Sequence, residues 1–131
     1  MHAIDSSTHT ASYAKKNVSA GNERWLLVPQ RKPHATLRLF CFPFAGGNGS
    51  IFMPWATKLP ADVELNAIQL PGRGIRISES PLTNICDMAR ACADALEPLL
   101  DRPFVFFGHS MGAMLAFELT RELRRRKLPL P

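Results

Sequence analysis

The residue of this sequence with the clearest capacity for chemistry is Ser110, which stands between two glycines in the segment G-H-S-M-G at 108 to 112. The preceding segment, P-F-V-F-F at 103 to 107, predicts a buried strand, and apolar residues at helical spacing follow the serine. A G-x-S-x-G turn between a strand and a helix is typical of a nucleophile elbow, in which a strained backbone exposes the hydroxyl at the edge of a sheet. The pattern therefore predicts that Ser110 is a catalytic nucleophile.

The same pattern predicts which groups would hold an oxyanion. Ser110 precedes the N-terminus of a helix, where free N–H groups favour negative charge, so the N–H of Met111 is one candidate donor. The second donor is expected from the loop after an earlier strand. The segment F-P-F-A-G-G at 42 to 47 occupies that place, which makes the N–H of Ala45, or that of Phe44, the second candidate.

A serine hydroxyl needs a base to take its proton, and that base is most often a histidine. The histidines of the chain are His2, His9, His34 and His109. His109 adjoins the serine, but consecutive residues of a sharp turn project differently, so we predict a packing or hydrogen-bonding role for it. In α/β-hydrolases the acidic residue and the histidine of the triad follow the serine. Here the only acidic residues after Ser110 are Glu118 and Glu122, and no histidine follows it. We expect the first part of a catalytic domain, without its acid and base.

The elements that must position the serine alternate between strands and helices. Strands are predicted at 36–42, 63–70 and 103–107, with a weaker one at 24–28. Helices are predicted at 51–59 with Ser50 as N-cap, from 83 to about Pro98, and at 111–126. This alternation is typical of an α/β fold with a parallel sheet. We predict a truncated α/β-hydrolase fold with a mostly parallel sheet, one uncovered sheet edge, and an elbow between strand 103–107 and helix 111–126.

Length and composition fit one domain in 131 residues. Residues 1–22 are polar and without periodicity, so we predict a disordered tail there and the folded domain at 23–131. The three cysteines show no pairing or metal-ligand spacing, which favours small buried hydrophobes in a reducing cytoplasm. No apolar run approaches the roughly 18 residues that a membrane span needs. The sequence therefore predicts no metal, no cofactor and no membrane contact.

The net charge of +5 comes largely from the segment R-E-L-R-R-R-K at 121 to 127. Nucleic-acid binding is not predicted, because no basic face interleaved with aromatic residues and no recognisable module is present. Cations on the last turns of a helix are favoured by its dipole. An alternative is that this basic helix end attracts an acidic partner.

Three segments of the chain together resemble type II thioesterases, the stand-alone editing enzymes of nonribosomal peptide and polyketide synthesis in bacteria. They are LFCFPFAGGNGSIFMPWATKLP, VELNAIQLPGRGIR and RPFVFFGHSMGAMLAFELTRELRRR, and the likeness covers about 36 to 131. The resemblance implies an α/β-hydrolase that cleaves acyl thioesters from the phosphopantetheine arm of acyl or peptidyl carrier proteins, removing stalled or mis-primed groups. By position, it implies Ser110 as nucleophile, with Met111 and Ala45 (or Phe44) as oxyanion donors.

Members of this family continue with further strands, a helical lid and the Asp and His of the triad. We therefore expect this chain to be inactive or nearly so, marginally folded, cytoplasmic, and a monomer if complete. Two alternatives stay open. One is a different α/β-hydrolase that cleaves small oxygen esters, and the other is a non-catalytic remnant that binds a carrier protein through its basic helix end.

Overall fold

The structure, a computed structural model, describes residues 20–131. It contains three α-helices and four strands, together with short 3-10 segments. In chain order they are α1 (Ala20–Trp25), β1 (Leu26–Leu27), β2 (Leu37–Phe42), a 3-10 helix (Gly49–Trp55), β3 (Val63–Ile68), α2 (Ile85–Leu96), β4 (Phe104–Gly108) and α3 (Met111–Arg125). The predicted tail at 1–22 lies outside the described residues, except that the last three of its positions begin α1.

The four strands form one sheet in the order β1-β3-β2-β4. β2 pairs in parallel with both β3 and β4, whereas β1 pairs antiparallel with β3. The register aligns Phe42, the last residue of β2, with Gly108, the last residue of β4. The prediction of an α/β fold with a mostly parallel sheet is confirmed, and the three main strands lie within two residues of their predicted bounds.

The main hydrophobic core lies between the sheet and the two longer helices. In α3, Leu115, Leu119 and Leu123 recur at every fourth position and are fully buried. In α2, Met88, Cys92 and Leu96 recur at the same spacing and are buried in the same core. Removing each such side chain from water stabilises the fold by about 1.5–3 kcal/mol. The core therefore fixes α3, and with it the turn from which α3 begins, against the sheet.

The weak strand predicted at 24–28 is shorter than expected, because Arg24 and Trp25 belong to α1. The remaining two residues pair antiparallel with β3 through contacts distant in the chain. The carbonyl of Trp25 accepts a hydrogen bond from the N–H of Gln69 (2.8 Å), and the Arg76 guanidinium lies 4.3 Å from the centre of the Trp25 ring. Such contacts cannot be read from local periodicity, which explains the misplaced bounds.

Arg76, in the segment P-G-R-G-I-R after β3, is buried, and each of its three guanidinium nitrogens donates a hydrogen bond. Its Nε and Nη2 donate to the two carboxylate oxygens of Glu79 (2.7 and 2.8 Å), and its Nη1 donates to the carbonyl of Gln69 (2.9 Å). The hydrogen bond from Arg76 lowers the pKa of the Glu79 carboxyl. This bidentate pair holds the loop after β3 against the end of the sheet.

The helix predicted at 51–59 with Ser50 as N-cap differs in type and start. It is a 3-10 helix over Gly49–Trp55, and its cap is Asn48, whose side-chain oxygen accepts a hydrogen bond from the Ser50 N–H (2.9 Å). Pro54 lies inside this segment. Because proline lacks an N–H and clashes with the preceding turn, an α-helix of the predicted length is disfavoured here.

The end of α3 is set by the local backbone geometry at Lys127 and Leu128. Lys127 has a positive φ of 58°, and the N–H of Leu128 donates to the carbonyl of Leu123 (2.9 Å). The N–H of Lys127 donates to the carbonyl of Arg124 (3.0 Å). This pair of bonds is a Schellman motif, and it ends the helix before Pro129.

The cysteines differ from one another in exposure. Cys41 and Cys92 are fully buried as predicted, and burial raises the pKa of each thiol to about 12. Cys86 is exposed, so the prediction that it is a buried hydrophobe was wrong. It lies at the start of α2, on the face turned away from the core.

We expect one of the three thiols to react with iodoacetamide at pH 8 in the native chain, and all three to react after unfolding. At that pH a thiol with a pKa near 12 is only about 1 part in 10⁴ thiolate, the reactive form, and burial blocks access as well. Peptide mapping should place the native adduct on Cys86, and Cys86→Ser should remove it. Native modification of Cys41 or Cys92 at a similar rate would contradict the packing described here.

In the described part of the chain, none of the helices combines the length and apolarity of a membrane-spanning segment.

Candidate active site

Ser110 lies between β4 and α3 in the backbone conformation that an elbow requires. Its φ and ψ are 57° and −116°, and it occupies the N-cap position of α3. A positive φ is uncommon for a residue with a side chain and persists only where the surroundings enforce it. Its side chain makes no capping hydrogen bond and the residue is exposed. The hydroxyl is therefore free to meet a ligand at the carboxyl end of the sheet.

The two glycines that flank the serine are needed because backbones approach closely there. A Cβ at Gly112 would lie 2.1 Å from the carbonyl oxygen of Phe42, and a Cβ at Gly108 would lie 2.4 Å from the Gly112 carbonyl carbon. The first turn of α3 thus packs directly on the end of β2 and on β4. This contact enforces the strained dihedrals of Ser110.

The amide of Met111 is the free N–H at the start of α3. The next three amides of the helix already have acceptors: Gly112 donates to His109 (3.0 Å), while Ala113 and Met114 donate to Ser110 (2.9 and 3.4 Å). Within residues 20–131, the Met111 N–H donates to no backbone carbonyl. It is therefore available as an oxyanion donor, and the dipole of α3 favours negative charge at this point.

The loop after β2 adjoins the elbow because β2 and β4 are neighbours and Phe42 is aligned with Gly108. Phe44 to Gly47 form a β-turn, closed by the N–H of Gly47 donating to the carbonyl of Phe44 (2.9 Å). Gly46 has a φ of 82°, the value that the third residue of a type II turn takes. Ala45 is exposed on this turn. The structure thus brings together the segments that carry Ser110, Met111 and Ala45.

The loop after β3 contacts the loop after β2 at the same edge of the sheet. A Cβ at Gly74 would lie 3.2 Å from the Cβ of Asn48, which caps the 3-10 helix. Sequence reasoning missed Asn48 as a residue that orders this region. The signal was present, because an Asn followed closely by Gly and Ser is typical of a turn in which the side chain bonds the backbone two residues later.

His109 packs against the first loop and does not hydrogen-bond the serine. Its imidazole lies edge-on to the Phe44 ring, with centroids 5.6 Å apart and planes at 78°. The backbone N–H of His109 donates to the carbonyl of Phe42 (3.2 Å). Among the side-chain hydrogen bonds of the described residues, none joins the imidazole to the Ser110 hydroxyl. The predicted packing role agrees with this geometry.

The two carboxylates that follow the serine are already paired with arginines of α3 and of its C-cap. Glu118 accepts a hydrogen bond from Arg121 (3.1 Å). Glu122 is buried and pairs with Arg125 and Arg126. Neither carboxylate is therefore free to orient a catalytic base. The same pairs, with Asp94 bonding Arg126 (2.6 Å), neutralise much of the charge that the sequence suggested for an acidic partner. Among the described residues, no cluster of side chains could hold a metal ion.

Comparisons with known proteins agree on one family. The profile of the family described as Thioesterase domain matches residues 37–130. The chain is 44% identical over 103 residues to Gramicidin S biosynthesis protein GrsT of Aneurinibacillus migulanus, covering 79% of the chain and 40% of that protein. It is 48% identical over 103 residues to Linear gramicidin dehydrogenase LgrE of Brevibacillus parabrevis, covering 79% of the chain and 39% of that protein. The chain thus spans about two fifths of the length of these relatives.

A solved structure extends this likeness to three dimensions. The type II thioesterase BorB from the borrelidin biosynthetic cluster superposes with a TM-score of 0.75 at 36% identity, over 81% of this chain and 43% of that one. The predicted fold is confirmed by this superposition, since BorB carries the same arrangement of strands and helices over the matched part.

Proposed function

Because the chain belongs to the thioesterase domain family, we propose that it forms the nucleophile half of a serine thioesterase acting on acyl groups carried by acyl or peptidyl carrier proteins. The observation that carries this proposal is the exposed Ser110 with a φ of 57° at the start of α3, beside the glycine-rich turn at Ala45. The names of GrsT and BorB tie those two proteins to biosynthetic systems, which supports a biosynthetic role for this chain. The role that we propose is editing in nonribosomal peptide or polyketide synthesis, in the cytoplasm.

The proposed reaction begins when the Ser110 oxygen attacks the thioester carbonyl carbon. Negative charge moves to the carbonyl oxygen, where the N–H groups of Met111 and Ala45 would stabilise it. Collapse of this intermediate breaks the carbon–sulfur bond, so that the phosphopantetheine thiol leaves and the acyl group remains on the serine as an ester. Attack by water then releases the free acid and restores the hydroxyl.

Both half-reactions require a base, which takes the proton of the serine hydroxyl in the first and that of the attacking water in the second. We propose that this base and its carboxylate partner are not among the 131 residues, since no histidine follows Ser110 and His109 packs on Phe44. Enzymes of this type that lose triad members keep a residual rate about 10³–10⁴-fold above that in water, from the oxyanion donors and binding. The chain by itself is therefore expected to act slowly.

The word dehydrogenase in the name of LgrE is not extended to this chain. A nicotinamide dehydrogenase of the common type needs a G-x-G-x-x-G loop that lets its backbone approach a pyrophosphate. The glycine-rich segment at 43–50 does not match that spacing. Its turn leaves Ala45 exposed, in the loop that follows the alignment of Phe42 with Gly108.

Hydrolysis of an acyl-carrier thioester should exceed that of an oxygen ester of the same acyl group by about tenfold or more, once the rate in buffer is subtracted. The preference is expected because the proposed substrate is delivered on a carrier protein, and a factor of ten corresponds to only about 1.4 kcal/mol. Mass spectrometry of the released acid measures both reactions, and that of the deacylated carrier protein measures the thioester reaction a second time. Ser110→Ala is the control for hydrolysis that does not depend on the serine.

Equal rates for the two esters would favour a general esterase. Carrier binding without any serine-dependent turnover would favour the non-catalytic remnant.

A further inference from the structure

The proposed reaction leaves His109 without a part, although it stands between Gly108 and the nucleophile. Its imidazole contacts the ring of Phe44 edge-on at 5.6 Å. The same Phe44 ring also lies against Gly47, since a Cβ at Gly47 would be 3.2 Å from two of the ring's carbon atoms. The Phe44 ring is thus held between the elbow and the far side of its own turn.

Phe44 directly precedes the residue that carries the proposed second oxyanion donor. Its carbonyl closes the turn by accepting from the Gly47 N–H (2.9 Å), and the Ala45 N–H follows directly in the chain. The backbone of His109 also bonds Phe42 on the other side of Pro43. One residue of the elbow therefore contacts the loop both before and after the buried Pro43.

We infer that His109 is a positioning residue, whose ring fixes Phe44 and thereby aims the Ala45 N–H at the carbonyl oxygen of the substrate. This inference rests on the proposed function. The imidazole acts through an aromatic edge contact and not as a proton acceptor, so any flat ring of similar size should serve. Aromatic pairs of this geometry stabilise an arrangement enough to change an equilibrium or rate by about three- to tenfold.

The test compares His109→Ala with His109→Phe in the whole chain, using a fluorophosphonate probe of serine nucleophiles. His109→Ala should lower the limiting rate of Ser110 modification about three- to tenfold with little change in the probe's half-saturating concentration. His109→Phe should stay within about twofold of the unsubstituted chain, because phenylalanine keeps the edge contact. Phe44→Ala should resemble His109→Ala, and combining the two should produce no further fall.

Amide hydrogen exchange supplies a second readout that needs no chemistry. Exchange across residues 43–47 should accelerate in His109→Ala and return to the original rate in His109→Phe. His34→Ala, which alters an exposed histidine before β2, is the matched control and should change neither readout.

Two results would overturn the inference. In the first, His109→Phe is as slow as His109→Ala, as expected of a proton acceptor. In the second, exchange across 43–47 is the same in all variants. If the unsubstituted chain is not modified at Ser110, the proposed function fails, and the exchange rates still decide whether His109 holds the loop.

Discussion

Replacing Gly112 by alanine should lower the free energy of unfolding by about 3 kcal/mol or more. The added Cβ would lie 2.1 Å from the Phe42 carbonyl oxygen and 2.7 Å from that of Pro43. Both are backbone atoms, one in the last residue of β2 and one in the residue that follows it, so no side chain can rotate away to make room. For a domain of this size the expected fall in Tm is about 10 °C or more.

Gly46→Ala is the matched control for this prediction. A Cβ there would meet nothing within 4 Å, and the only cost comes from its φ of 82°, for which about 1–2 kcal/mol is expected. Thermal unfolding followed by circular dichroism measures both variants. Equal losses for the two glycines would contradict the prediction, because they would show that the contact of α3 with β2 costs no more than a positive φ.

The main elements of this fold could be predicted because their signals are local. β2, β3 and β4 are short apolar runs ended by turn residues, and α2 and α3 carry apolar residues at helical spacing. The elbow was predictable because its glycines and serine are adjacent in the chain. These features decide the local backbone directly, so their order also gave the class of the fold.

The contacts that assemble the site could not be predicted, because they depend on how strands pair. The alignment of Phe42 with Gly108 joins residues 66 positions apart, and the contact of His109 with Phe44 follows from it. The bounds of the weak strand predicted at 24–28 were misplaced for the same reason, since the two residues of β1 are held by β3. The burial of Cys41 and Cys92 but not Cys86 likewise depends on which face each element turns to the core.

Ser110→Ala should abolish modification by a fluorophosphonate while leaving the fold intact. The hydroxyl is exposed and makes no capping hydrogen bond, so its loss should change the free energy of unfolding by less than about 0.5 kcal/mol. Ser110→Gly should also abolish modification but raise the stability by about 1 kcal/mol, because glycine adopts a positive φ without strain. A gain in stability for Ser110→Gly but not for Ser110→Ala would show that the positive φ at position 110 lowers the stability of the fold.

The oxyanion donors give a scale for the reactivity expected of the unsubstituted chain. One such donor contributes about 10²–10³ in rate. Ser110 should therefore react at least about a hundredfold faster than Ser78, which is also exposed but lies outside the elbow.

The most direct measurement is the mass of the intact chain after incubation with a fluorophosphonate, followed by peptide mapping, for the unsubstituted chain and for Ser110→Ala. If the hydroxyl at 110 is the nucleophile of a thioesterase, one adduct forms per chain, it maps to Ser110, and the alanine variant gains none. An adduct of equal yield in Ser110→Ala, or one that maps to Ser78 as readily as to Ser110, would contradict that assignment.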